Sequence, residues 1–117
     1  MLIRVDPGST EPLFAQLADS LRAEVLRGTA KPGDRLPTAR ELAASLEINL
    51  HTVLRAYQEL RDEGLIELRR GRGAVVRDAA RDTGALRGDI AHLVAEARRL
   101  GVAPNTLIAL IRQEYPS

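Results

Sequence analysis

The sequence predicts a mainly α-helical chain with one small β-hairpin. Three observations lead there. Apolar residues recur at steps of three and four along most of the chain. Two helix-start signatures, Thr38 with Glu41 and then Asn49, sit close together in the middle of it. One short stretch, Leu65 to Arg77, alternates apolar and polar residues around a glycine-rich tip.

The elements follow in order. Ile3 and Val5 mark a short extended start. From Glu11 to Gly28 the pattern is helical, with Phe14, Leu17, Leu21 and Val25 on one stripe. Ser9 or Thr10 is the expected cap, and Pro12 is tolerated in the first turn. Lys31-Pro32-Gly33-Asp34 reads as a turn. Thr38 and Glu41 form a capping box, and the short helix behind it points Leu42, Ala43 and Leu46 inward. It fades by Glu47-Ile48. Asn49 caps a third helix running to about Glu63. Its apolar stripe is Val53, Ala56, Tyr57 and Leu60, which assigns Tyr57 to the core, and its opposite side holds His51, Arg55, Gln58 and Asp62. Asp62-Glu63 reads as a solvated helix end. Gly64 ends this helix, and a hairpin follows with Arg70-Gly71-Arg72-Gly73 at its tip. A polar stretch, residues 78–85, is the expected linker. Leu86, Ile90, Leu93, Val94 and Ala97 then form another helical stripe. Gly101 breaks it, and Pro104-Asn105 opens a last helix with Leu107, Ile108, Leu110 and Ile111. The expected domains are therefore 1–77 and 86–117.

Composition narrows the functions. Of 117 residues, 3% are aromatic and none is cysteine, so the core is aliphatic and disulfides, thiolate metal sites and cysteine nucleophiles are excluded. No apolar run is long enough to span a membrane, and no secretory signal is visible, so the cytoplasm is the expected location. His51 and His92 lie in separate segments, and neither a metal nor a cofactor is expected. No phosphate loop, zinc motif or Ser-His-Asp arrangement supports an enzyme. The net charge of +1 argues against binding nucleic acid through bulk charge. Placement argues otherwise, because Arg69, Arg70, Arg72 and Arg77 cluster around the hairpin tip.

Helix, short capped helix, tight connection, second capped helix and hairpin make the pattern of a winged helix-turn-helix. The helix from Asn49 is the candidate recognition helix, offering Asn49, His51, Thr52 and Arg55 to phosphates or base edges. The hairpin tip is the candidate wing. Gly71 and Gly73 permit positive φ there, and Arg69, Arg70 and Arg72 supply charge. Arg35 and Thr38, at the entry to the first motif helix, are added to this set. A winged-helix module that binds protein instead of DNA is the rival reading, mildly favoured by the near-neutral charge.

The residues that carry this pattern also carry a resemblance. Leu36-Pro37-Thr38-Ala39-Arg40-Glu41-Leu42-Ala43, Ile48-Asn49-Leu50-His51-Thr52-Val53, Ala56-Tyr57-Gln58-Glu59-Leu60, Glu63-Gly64-Leu65-Ile66 and Gly71-Arg72-Gly73-Ala74-Val75-Val76 resemble the GntR family of bacterial transcription regulators. Ile3-Arg4-Val5-Asp6 and Pro12-Leu13-Phe14-Ala15-Gln16-Leu17 resemble its short YtrA-like branch. The resemblance implies a homodimer, most simply a repressor, that binds a roughly palindromic double-stranded DNA operator. It implies that Arg40 reaches a base or phosphate, that Asn49, His51 and Thr52 meet the DNA, and that Gly71 and its Arg neighbours line the minor groove. Leu50 departs from the Pro or Arg common in relatives, Leu54 from the Arg of some branches, and Ala74 from a common Thr.

The tail resembles the two-helix C-terminal module of the same branch. Two amphipathic helices cannot bury both apolar faces alone. Leu86, Ile90, Leu93, Val94, Leu107, Leu110 and Ile111 are therefore the expected dimerisation residues. The stretch after Arg77 is too short for a dedicated small-molecule effector domain of the kind larger family members carry.

Overall fold

Pro12 decides where the first helix begins. A residue preceding proline is disfavoured in the α region, so Glu11 is kept out of the helix. Helix α1 accordingly spans Leu13–Leu26, with Pro12 itself at the cap position and no side-chain cap. The expected capping by Ser9 or Thr10 is not found: the Ser9 hydroxyl instead accepts from the Glu11 amide at 3.1 Å. Gln16 anchors the preceding segment. Its side-chain oxygen accepts from the Asp6 amide at 2.7 Å, and its amide donates to the carbonyls of Asp6 and Glu11 at 3.0 and 2.8 Å. Ile3 and Val5 pack half-buried against the core without forming a strand.

In this computed structural model residues 3–77 and 84–116 are described. The chain divides into two compact units, Met1–Asp82 and Thr83–Ser117. After α1 the first unit holds α2 (Ala39–Leu46), α3 (Leu50–Asp62), β1 (Ile66–Arg69) and β2 (Gly73–Val76). The α1 stripe packs on that of α3, and the hairpin closes one side. Leu17, Leu21, Val53, Leu60 and Ile66 are fully buried. Each contributes about 1.5–3 kcal/mol relative to an exposed side chain. The core is aliphatic apart from Tyr57, as the shortage of aromatics requires.

The strands pair antiparallel, with Ile66 opposite Val76 and Arg69 opposite Gly73. Gly73, expected in the tip, is thus the first residue of β2. Its pairing with Arg69 across the sheet closes the ladder one step nearer the turn than alternation alone marks. Residues Gly33 to Leu36, from the end of the Lys31–Asp34 turn onward, add a third, irregular edge to this sheet. The Gly33 amide donates to the Val76 carbonyl at 2.8 Å, Val76 to Asp34 at 2.9 Å, and Leu36 to Ala74 at 2.9 Å.

Asp62-Glu63 is not simply a solvated end. Arg22 of α1 donates to both carboxylate oxygens of Glu63, at 2.7 and 2.6 Å, and also to Asp19 at 2.8 Å. This bidentate pair clamps the end of α3 to α1 and raises the Arg22 pKa, its hydrogen bond to Glu63 being the main cause.

The second unit is a helical hairpin of α4 (Gly84–Arg99) and α5 (Pro104–Glu114). Gly84 and Ala85, expected in the linker, are the first residues of α4. The apolar stripe marks where packing begins, whereas backbone hydrogen bonding begins earlier. The rest of the expected linker, residues 78–83, lies outside the described residues. Only Ala97 is buried in this unit among the described residues. Leu86, Ile90, Leu93, Val94, Leu110 and Ile111 are 36–56% exposed, and Leu107 is half-buried. No described helix is long and apolar enough to cross a membrane.

Candidate nucleic-acid interface

Two capped helix starts build one end of the first unit. The Thr38 hydroxyl accepts from the Glu41 amide at 3.1 Å, and the Glu41 carboxylate accepts from the Thr38 amide at 3.4 Å. The Asn49 side-chain oxygen accepts from the His51 amide at 2.7 Å. Capping uses acceptor capacity on both residues. The Thr38 O–H and the Asn49 NH₂ remain donors, which is the polarity that phosphate oxygens require.

The connection between the helices is tight because Glu47 adopts left-handed geometry, with φ 56°. Its amide and that of Ile48 donate back to Ala44 and Ala43 at 3.3 and 3.0 Å. A non-glycine residue held there costs about 1–2 kcal/mol. Tyr57 then locks α3 to the segment before α2: its buried hydroxyl donates to the Pro37 carbonyl in a short hydrogen bond. Burial, and then the nearby Glu41 charge, push the phenol above its ordinary value, so it stays a neutral donor.

The α3 stripe faces the core as its spacing predicts, leaving His51, Arg55 and Gln58 exposed and Thr52 half-buried. Arg55 leans towards α1, with its guanidinium 3.6 Å from the centre of the Phe14 ring. A stacked guanidinium keeps its N–H edge available, so Arg55 can brace the α1–α3 packing and still donate outward. Arg40 is exposed and lines a shallow depression with Glu47, Ile48 and Leu50, which brings the start of α2 to the start of α3.

The wing turns through Gly71 and Gly73, whose φ values of 82° and 72° suit glycine. The Arg72 amide closes the turn on the Arg69 carbonyl at 3.1 Å. Arg35 supports it from the third edge, its Nε donating to the Arg72 carbonyl at 3.1 Å. On the outer sheet face Glu67 lies between two arginines, 2.7 Å from Arg69 and 3.8 Å from Arg77. Arg35, Glu67, Arg69, Arg72 and Arg77 line an open cleft of about 640 Å³ on that face.

The expected residues therefore differ in what they already hold. Arg40, His51, Thr52, Arg70 and Arg72 make no side-chain hydrogen bond or ion pair among the described residues. Thr38 and Asn49 are caps, Arg35 supports the wing, Arg69 is paired and Arg55 is stacked. The sequence reading missed three features: the third edge at 33–36, the neutralising Glu67, and the place of Arg77 on the outer face. Alternation offered a signal for Arg77, which is in phase with Gly73 and Val75. Among the described residues no group of three or more His, Cys, Asp or Glu could hold a metal ion.

Two capped helices joined by a tight turn, followed by a hairpin with a basic glycine tip, define a winged helix-turn-helix DNA-binding domain. Residues 13–76 match the gntR family of bacterial regulatory proteins. The chain belongs to that family and is a DNA-binding transcription regulator. It is 43% identical over 82 residues to the HTH-type transcriptional repressor YtrA of Bacillus subtilis, covering 70% of this chain and 63% of that protein. It resembles the structure of YtrA from Sulfolobus acidocaldarius, a GntR-family transcription factor, with a TM-score of 0.62, 38% identity, and 81% and 99% of the two chains covered. The DNA-binding domain of AraR in complex with operator ORX1 is also similar. There the TM-score is 0.56, identity is 27%, and coverage is 62% of this chain and 90% of that one.

Proposed function

We propose that the chain is a cytoplasmic repressor that binds a palindromic operator as a homodimer. One observation carries the reading. The start of α3, Arg40 and the wing loop all present side chains whose donors are unengaged within the described residues, beside two caps that keep donors outward. Base edges and phosphates in a groove are acceptor-rich, and α3 is the element of a size to enter it. Each winged domain takes one half-site. The exposed apolar stripes of α4 and α5 pair with those of a second chain, which burial principles favour because neither helix buries its own face. Occupancy of the operator blocks polymerase access.

A gel shift with fragments of the source genome tests the reading. Specific retention that weakens steeply with salt is expected, and Arg40→Ala lowers it about tenfold, the loss of one good base or phosphate contact. A folded protein that retains no fragment would refute it.

A further inference from the structure

We propose that Leu54 reads thymine methyl groups in the major groove, so that T·A pairs beneath the start of α3 are specificity determinants of the operator. The inference rests on the DNA-binding reading above. Leu54 is 37% exposed, one of two large apolar side chains exposed among the described residues of the first unit, together with Leu68 on the hairpin. It has no place in the buried α3 stripe of Val53, Ala56, Tyr57 and Leu60.

Its position on the helix is the argument. Arg55 leans onto Phe14, which marks the side of α3 that faces α1. At about 100° per residue, Leu54 lies about a quarter-turn round from Arg55 and outside the buried stripe, and His51, one turn earlier, lies between the two. A helical side chain leans towards the helix N-terminus, so Leu54 covers the turn that holds Leu50 and His51. Leu50 is half-buried and packed against the core, giving Leu54 an apolar footing. The result is an apolar spot set among the unengaged donors of Arg40, Asn49 and His51. In a major groove the only apolar partner a base pair presents is the thymine C5-methyl group. A cytosine at the same place offers an amino donor and no methyl. Leu54 thereby discriminates without making a hydrogen bond.

The test uses duplex DNA selected by the full-length protein from a random pool. Each thymine of a half-site is replaced in turn by deoxyuridine, which removes the methyl and leaves the base pair intact. Wild type is expected to lose about fourfold in affinity at one or two positions, as expected for one buried methyl-sized group. Leu54→Ala is expected to bind the thymine and deoxyuridine duplexes equally at those positions. The deoxyuridine series on wild type needs no variant, so folding of Leu54→Ala does not limit it. Tolerance of deoxyuridine everywhere overturns the inference while leaving operator binding intact, and would mark Leu54 for contact with protein instead. An undiminished deoxyuridine effect in Leu54→Ala also overturns it. Enrichment of no sequence defeats the operator reading itself, and this inference with it.

Discussion

Replacing Arg70 with alanine should change how operator binding responds to salt, and replacing Arg69 should change it much less. Both arginines are exposed on the wing, one residue apart in sequence. Arg70 has no ion pair among the described residues, whereas Arg69 lies 2.7 Å from the Glu67 carboxylate. A cation that neutralises one phosphate releases counterions and contributes about 0.9 to the slope of log K against log salt. Between 50 and 200 mM salt that slope corresponds to about 3.5-fold in affinity. Arg70→Ala should lower the magnitude of the slope by about 0.9. Arg69 forms a pair of zero net charge, so its removal should lower the slope by less than half as much, about 0.4 at most. Glu67→Gln should act in the opposite direction, freeing Arg69 and, at 3.8 Å, Arg77 for phosphate, and steepening the slope. Fluorescence anisotropy on one selected duplex, titrated across that salt range, reads all three variants. Equal slopes for Arg69→Ala and Arg70→Ala would show that the Glu67 pairing does not govern how the wing meets DNA.

Leu93→Asp places a charge in the exposed α4 stripe and should give a monomer by sedimentation, with weak operator affinity and the α-helical circular dichroism retained. A dimer unchanged by this variant counts against the proposed interface. Tyr57→Phe leaves the Pro37 carbonyl without its donor and should cost about 1–2 kcal/mol in chemical denaturation. Its pH dependence has a definite sign: the folded-state pKa is raised, so wild-type stability is held below the ordinary phenol value of about 10 and declines as pH rises above it. Tyr57→Phe should lack that component of the alkaline decline, and identical alkaline profiles would contradict the burial argument. Glu47→Gly relieves left-handed strain but frees the unfolded chain. The net stabilisation should be about 0.5–1 kcal/mol, and a loss of stability would show that the Glu47 side chain contributes something the backbone geometry does not reveal.

The features legible in the sequence were those set by local rules. The Thr38–Glu41 box and the Asn49 cap each need groups within three residues, and both formed. The α3 stripe needed only helical spacing, and all of its members are buried. Local rules also misplaced the start of α1, where the restriction that Pro12 imposes on Glu11 overrode two good capping residues. What could not be read were pairings between distant segments. The edge at 33–36 joins strand residues some forty positions later, and Arg22 meets Glu63 across a similar distance. No periodicity encodes such contacts, because their partners are chosen by the packed fold.

The same reasoning explains why the net charge of +1 was a poor guide. Summed over the chain, every acid cancels a base, yet cancellation is a matter of position. Glu63 neutralises Arg22 on the flank of α1, and Glu67 holds Arg69 on the outer sheet face. Arg40, Arg70 and Arg72 have no such partner among the described residues. These three stand at the start of α2 and in the wing loop, where a groove and its phosphates would be met. A nearly neutral chain can therefore present a locally cationic surface without a large basic excess. Because the cations are few, affinity under the proposed reading is expected to rest on a small number of phosphate contacts, with base contacts from the start of α3 supplying a correspondingly larger share of the binding free energy.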